Sequence, residues 1–427
     1  MNVLFRLCGA TLASAAGLLA SGCGKTSTAP AWSQINADVA NSGQSFGGAI
    51  AKQSSATAII GRVDSSSPVL ALDGSVYVGT STGSDKIPSG ELVHLSGDSL
   101  AVLGKVKLDG ILSTPAVDQN GHVYVAQMKT DGTGGHLLAF SADLKTPPIF
   151  DIALTNTKTV SSPKILADPS GGCLIFEACT GSFTHLIIAN EKGQTLKDDE
   201  ICAVVEGGGE PGFQIGGIII PSVSDPSVGI RLVNGQYYLV LPANRCAVMF
   251  YLLTLGNTSA DVPGLRPLGS ADSGDGNEKY YGSPAISLDG TALINDSDRN
   301  FTAYDITNGN QKWQHAMAGD LYTSPVLMTS GGLKAYSVSK QFLTKIDIAT
   351  GQVEGEVEIA GPTQASPAVG GSYLYISTIS GLFTYDLNLT LLAFSPLQGG
   401  YSSPALGSAG QIYIGATDKQ FYLFPGF

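Results

Sequence analysis

A proline preceded by serine or threonine returns along this chain at intervals that constrain the fold more tightly than any other feature. It stands at Pro68 (SSPVL), Pro115 (STPAV), Pro163 (SSPKI), Pro284 (GSPAI), Pro325 (TSPVL), Pro367 (ASPAV) and Pro404 (SSPAL), with a weaker match lacking the serine at Pro221 (IIIPSV). Successive prolines lie 37 to 63 residues apart, which makes eight units. Each unit keeps one internal order. A short apolar run follows the proline, then a glycine turn, then an alternating strand such as GSVYVGT (74–80) or QIYIGAT (411–417). A third run follows, such as FTAYDI or LFTYDL, and a fourth, such as GEVEI or LLAFS, precedes the next proline. Alternation of this kind marks strands buried in stacked sheets. Four antiparallel strands per unit of about 40–48 residues is the blade of a β-propeller.

The eighth unit holds only three such runs, and ATAII (56–60) stands alone ahead of the first proline at the distance of a fourth. A ring must hide two sheet edges and hold its ends together, and pairing the early strand into the last blade does both. The expected fold is therefore all-β: an eight-bladed β-propeller of four-stranded antiparallel blades over residues 32–427, closed by the N-terminal strand pairing into the last blade.

Composition suits this architecture. Only 14% of the 427 residues are charged and 54 are glycine, a turn-rich profile with little helical periodicity. The net charge of −12 disfavours a nucleic-acid partner, since phosphates are repelled over most of the surface. The first 22 residues read as an export signal: a short basic start (MNVLFR), an apolar stretch too short to span a bilayer, and small residues before Cys23. This junction resembles a bacterial lipobox, with Leu19 one place early. The resemblance implies acylation of Cys23, a tether over residues 23–31, and a membrane anchor; Gly24 after the cysteine implies sorting to the outer membrane, facing the periplasm. GCGKTS (22–27) is not a phosphate loop, because Leu19 occupies the place of its first glycine and no strand precedes it.

The repeat itself resembles a known family. SPAISLDGTALINDSDRNFTAYDITNGNQKW (283–313) is similar to the repeat of pyrroloquinoline-quinone-like (PQQ-like) propellers, with Ala303, Asp305, Gly309 and Trp313 at the matching places. The sixth unit keeps DIATG (347–351), and the seventh keeps Asp386 without a matching glycine. In size, anchor and unit count the chain is similar to the BamB class of outer-membrane assembly lipoproteins. That likeness implies a non-enzymatic, monomeric scaffold holding other envelope proteins or peptides. Two alternatives stand beside it: a ligand- or glycan-binding surface or sensor propeller, and a divergent PQQ-dependent dehydrogenase.

The chemistry-bearing residues speak for binding. Quinone propellers place the cofactor over the channel with Ca²⁺, a stacking tryptophan and often a vicinal disulfide; this chain has no Cys-Cys pair and only Trp32 and Trp313. Trp313 falls on an outer strand, where it is expected to pack between blades, so neither PQQ nor Ca²⁺ is expected. GTSTG (79–83) fits GxSxG, but it ends a strand with no helix behind it and reads as a turn. DSGDGNE (272–278) fails the EF-hand pattern, with Ser283 at the twelfth position. The five histidines show no HxxxH or HExxH, and no metal site is expected; His136 and His185 open matching third strands.

A binding face emerges instead from the blade connections. Three residues before the proline stand Tyr281, Tyr322, Gln364 and Tyr401 in consecutive units, with Tyr280 adjoining the first. Four blades could so present a tyrosine-rich arc at the channel entrance, offering rigid amphipathic contact to peptides or sugars; the same rings could instead seal neighbouring blades. Insertions at 206–217 and 257–281 add loops to that face. Cys202 and Cys246 lie near them and are the preferred disulfide pair, with Cys179 the competing partner and Cys173 buried.

Overall fold

The repeated units fold into eight blades, each built on four antiparallel strands, three of them with a further short strand attached. In this computed structural model the described residues are 32–426, apart from 39, 64–65, 82–88, 130–133, 168–172, 181–182, 204–211, 216–217, 222–225, 244–246, 259, 272–279, 281, 297, 329–332 and 341. Blade 5 shows the pattern: Ala285–Ile286, Thr291–Asn295, Asn300–Asp305 and Gln311–Ala316, paired in sequence order. The inner strands of the other blades are Val69–Leu70 (blade 1), Ala116–Val117 (2), Lys164–Leu166 (3), Gly229–Val233 (4), Val326–Met328 (6), Ala368–Gly370 (7) and Ala405–Leu406 (8). Their outer strands are Val102–Asp109, Phe150–Thr155, Thr195–Ala203, Gly264–Ala271, Val353–Glu358, Leu391–Pro396 and, for blade 8, Ala56–Ile59.

The last of these is the expected closure. Ala56–Ile59 pairs antiparallel with Gln420–Phe424, setting Ala56 opposite Leu423, Thr57 opposite Tyr422, Ala58 opposite Phe421 and Ile59 opposite Gln420. The early strand completes the final blade, so chain ends far apart in sequence hold the ring shut without a covalent link.

The Ser/Thr before each proline explains its own recurrence. Its hydroxyl accepts the backbone N–H of the equivalent residue one blade earlier: Ser67 to Thr114 (2.9 Å), Thr114 to Ser162 (3.2 Å), Ser227 to Ser283 (2.9 Å), Ser283 to Ser324 (2.8 Å), Ser324 to Ser366 (3.0 Å) and Ser366 to Ser403 (2.9 Å). Ser403 N–H then donates to Ser67 Oγ at 3.0 Å, joining blade 8 to blade 1, and Ser227 Oγ donates to the Ser162 carbonyl at 3.2 Å. A belt of hydroxyl bridges thus links every neighbouring pair of blades, each bridge contributing about 1 kcal/mol net.

The belt also corrects the reading of unit four. Pro221 ends a separate hairpin, Gly212–Ile215 with Ile218–Pro221. The fourth blade takes Ser227-Val228-Gly229-Ile230 at the place of Ser-Pro-Ala-Ile, with valine where the other units carry proline. Proline is dispensable there because the hydroxyl, not the ring, makes the interblade bond.

The connections between third and outer strands show why Asp and Gly recur. Gly351 N–H donates to the Asp347 carbonyl (2.8 Å) while Asp347 Oδ1 accepts from Thr350 N–H (3.0 Å), closing a tight turn. Gly351 has φ +72°, and a Cβ there would lie 2.6 Å from the Trp313 indole of the previous blade. The glycine both supplies the left-handed conformation and lets the turn press flat on the ring. Trp313 meets Phe301 edge-on at 5.6 Å and donates Nε1–H to the Ile348 carbonyl at 2.8 Å, so it packs between blades 5 and 6 as its position implied.

One element has no counterpart in the repeat. Residues 32–38 and 40–49 run around the axis of the ring and satisfy the inner strands. The second residue after the proline donates its N–H inward in five blades: Leu70 to Trp32 O, Val117 to Ser33 O, Ile286 to Ala40 O, Leu327 to Ser42 O and Val369 to Gly43 O, all 2.8–2.9 Å. In blade 3 Ile165 N–H finds Gln34 Oε1 at 3.0 Å, and Asn41 Nδ2 donates to the Val228 and Pro284 carbonyls at 3.1 and 2.9 Å. Buried backbone groups demand such partners, and a short inner strand leaves one side of each open. This strap then pairs Gln44–Ser45 parallel to Ala368–Gly370, passes the Tyr375 hydroxyl at Ala49, is held by Ser395 Oγ at Ala51 and Lys52, and reaches the rim as the outer strand of blade 8.

Candidate functional site

In a four-stranded blade, the loop from an outer strand to the next inner strand lies at the same end as the turn between the second and third strands. Over blades 5 to 8 these segments join into a polar line on one face. Arg299 Nε meets Asp320 Oδ1 at 3.0 Å, and the half-buried Tyr322 donates its hydroxyl to Asp320 Oδ2 at 3.4 Å. Burial, then the Asp320 charge, pushes the Tyr322 hydroxyl above its ordinary range, so it remains a neutral donor. The Asp320 carbonyl accepts from Lys340 N–H (2.8 Å), the Lys340 carbonyl from Thr363 N–H (3.3 Å), and the Gly400 carbonyl from Gln364 N–H (2.8 Å). Gln364 and Tyr401 are each half-buried, and this last bond brings their segments side by side.

The five arc residues therefore divide. Tyr322, Gln364 and Tyr401 border the face. Tyr280 is 3% exposed and sits in an apolar cluster with Val240, Phe250 and Ile294, where it fills core between blades 4 and 5. Tyr281 lies outside the described residues, as do Cys23, Cys246, residues 272–279 and the side chain of Cys202. Cys173 and Cys179 are both buried at the two ends of the second strand of blade 3. His136 and His185 remain in their own blades, each facing an aspartate of its own outer strand: Asp151 Oδ1 at 2.5 Å and Asp198 Oδ1 at 2.9 Å. Among the described residues no three His, Cys, Asp or Glu side chains gather as a metal cluster. Of the GTSTG stretch, Ser81 is strand, opposite Gly90 and bridged to Arg62.

The most unusual electrostatic feature lies at the axis. Lys164 is fully buried, and its ammonium donates to the strap carbonyls of Ile35 (2.6 Å) and Asp38 (2.9 Å). Burial pushes its pKa down to about 7, opposed by the Asp38 carboxylate. The seven equivalent positions hold Val69, Ala116, Gly229, Ala285, Val326, Ala368 and Ala405, so SSPKI carried a visible signal: one charged residue in a small apolar slot.

A quinone cofactor requires a ring to stack on and a set of oxygen or nitrogen donors for its cation. Trp313 is spent between blades, and Trp32 is 2% exposed inside the strap. Neither tryptophan therefore offers an open face for such a group to stack on.

The fold defines the class, an eight-bladed β-propeller, and its last four blades carry the PQQ-like repeat. A family model described as outer membrane protein assembly factor BamB matches residues 276–424, the last four blades. Solved structures extend the likeness to nearly the whole chain at low identity. The quinohemoprotein alcohol dehydrogenase from Comamonas testosteroni has a TM-score of 0.63 and 12% identity, covering 92% of this chain and 80% of that one. A europium-containing methanol dehydrogenase has 0.61 and 11%, covering 91% and 89%. BamB from Moraxella catarrhalis has 0.58 and 11%, covering 88% and 99%. No curated protein sequence matches the chain. At these identities the structures share the fold alone; the chain resembles BamB and the quinone-type dehydrogenases in architecture.

Proposed function

We propose that this protein is a membrane-tethered scaffold of the bacterial envelope: a rigid ring that holds other polypeptides and performs no chemistry of its own. The observation that supports this best is the axis. The chain's own strap, pinned by Lys164 and by six inner-strand N–H groups, occupies the space around which a catalytic propeller arranges its cofactor. The match of the last four blades to the BamB model points the same way. In this reading residues 1–22 direct export, Cys23 carries the lipid, residues 23–31 form the tether, and the ring sits at the outer membrane facing the periplasm. Affinity capture of the tagged, lipidated chain from solubilised envelopes tests it. Stoichiometric recovery of β-barrel assembly proteins supports the scaffold; their consistent absence overturns it.

The polar line from Arg299 to Tyr401 favours a second reading, a glycan- or small-molecule-binding propeller. Tyr322→Ala and Tyr401→Ala should then abolish binding with little change in melting temperature, whereas a large fall in melting temperature assigns those rings to packing. Titration with PQQ and Ca²⁺ addresses the enzymatic alternative: a stoichiometric absorbance change with dye-linked alcohol oxidation would establish it.

A further inference from the structure

The outer edges of the blades are not alike. Each outer strand exposes a row of unpaired backbone N–H and C=O groups, a template for pairing that proteins ordinarily blunt with charge. Blades 1 to 6 follow this rule, with Lys105, Asp151, Asp198, Arg266, Lys312 and Glu354 on their respective outer strands. Blade 8 has a short, four-residue edge with Lys52 and Arg62 close at its two ends. Blade 7 breaks the rule. Its edge, Leu391–Pro396, reads LLAFSP, carries no charge, and exposes Leu391 (51%), Leu392 (38%) and Phe394 (44%). Phe394 is held against Phe383 at a centroid distance of 4.6 Å, so the apolar surface is preformed.

We propose that the edge of blade 7 is a strand-capture site that takes an extended, apolar segment of a partner polypeptide with basic flanks. This rests on the scaffold reading above and names the surface by which it holds a partner. The open backbone ladder selects an extended chain, because only a strand can satisfy alternating donors and acceptors along six residues. Leu391, Leu392 and Phe394 select apolar side chains in the partner. Charge selects its flanks: the chain as a whole carries −12, and the edge of blade 6 beside it presents the exposed Glu356 and Glu358, Glu354 being paired with Lys334 and Lys345. The same net charge opposes a second copy as occupant, since two such rings repel each other. Pro396, with no N–H, ends the ladder and fixes the register of the added strand.

The test uses the full chain and two synthetic probes: a fluorescent octapeptide of alternating valine and threonine with lysine at both ends, and the same peptide N-methylated at alternate residues. Fluorescence anisotropy should show saturable binding of the first, weakened about tenfold or more by methylation. The double substitution Leu391→Lys with Leu392→Glu should weaken it equally while leaving the melting temperature unchanged, since both side chains are exposed and Phe394 keeps its contact with Phe383. As a control, Lys312→Ala on the edge of blade 5 should leave binding as it was. Binding indifferent to methylation, or unchanged in the double variant, overturns the proposal. So does sedimentation showing that the double substitution dissolves a self-associated form, which makes the occupant a second copy. Envelope capture that survives the double substitution, together with absent peptide binding, removes this site and leaves the scaffold reading standing; failure of all capture removes the scaffold itself.

Discussion

Replacing Lys164 by methionine separates the strap's charge from its shape. The fully buried ammonium loses its proton near pH 7 in the folded ring, against 10.5 for a free lysine. Between those two values the unfolded chain binds a proton that the folded chain does not. Stability therefore rises with pH across this window, by at most about 1.4 kcal/mol per pH unit. Below pH 7 both states are protonated and the net cost of the buried charge is constant at about 4–5 kcal/mol, with the hydrogen bonds to the Ile35 and Asp38 carbonyls already included. From pH 7 to pH 9 the wild type should gain roughly 2 kcal/mol relative to Lys164→Met. The comparison between the two proteins cancels every other titrating group, including the tyrosines whose raised pKa values lower stability above pH 10. Guanidinium denaturation followed by tryptophan fluorescence at pH 7, 8 and 9 measures this gap, and Trp32 reports directly on the strap. A gap that stays constant with pH refutes the reasoning: the ammonium would then be solvated, and the strap would not be seated against blade 3.

Three further substitutions probe other parts of the account. His94 is buried, stacks on Tyr77 at 4.2 Å, and has neither ring nitrogen hydrogen-bonded among the described residues; burial lowers its pKa against the pull of Asp73 and Asp143. Stability should therefore fall as pH drops through 6.5. His94→Phe should remove that acid sensitivity and add about 1–2 kcal/mol in denaturation at pH 5, where a loss of stability would contradict the burial argument. Ser324→Ala deletes the oxygen that accepts from Ser283 N–H and Asn36 Nδ2, and calorimetry should show a loss of about 2–4 kcal/mol; a neutral result would make the belt incidental. Gly351→Ala forces a left-handed alanine whose Cβ meets Trp313, and a shifted Trp313 emission with about 2 kcal/mol or more of destabilisation is expected, whereas an unchanged spectrum would mean that the turn does not press on the ring.

The blades were legible in the sequence because one residue type at one position does one job in every unit. Ser67, Thr114, Ser162, Ser283, Ser324, Ser366 and Ser403 all bridge to a neighbour, so they recur, and the adjoining proline made the recurrence visible. Blade 4 was obscured where Val228 replaces that proline, although Ser227 still makes the bridge. The orphan strand at residues 56–59 was legible by counting, since closure demands an even ladder. The strap was not. It is held by backbone carbonyls, and Trp32, Ser33, Ala40, Ser42 and Gly43 bond through atoms that every residue possesses, which leaves no periodicity to read. Lys164, a lone charge in a slot that is otherwise small and apolar, was the one sign in the sequence that could have pointed to it. Tyr280 and Tyr322 illustrate the limit for the candidate site: both precede a Ser-Pro at nearly the same distance, yet one fills core and the other borders solvent, a difference set by the path of each connecting loop.

Ring closure can be measured with two cysteines. Thr57 and Tyr422 face each other across the final pair of strands, at the separation of directly paired residues, where a disulfide fits. Thr57→Cys with Tyr422→Cys should oxidise rapidly within one chain, with the link located by peptide mass mapping and the melting temperature raised. A protein that folds normally yet forms no such link, or forms it only between chains, contradicts a ring closed by its own first strand.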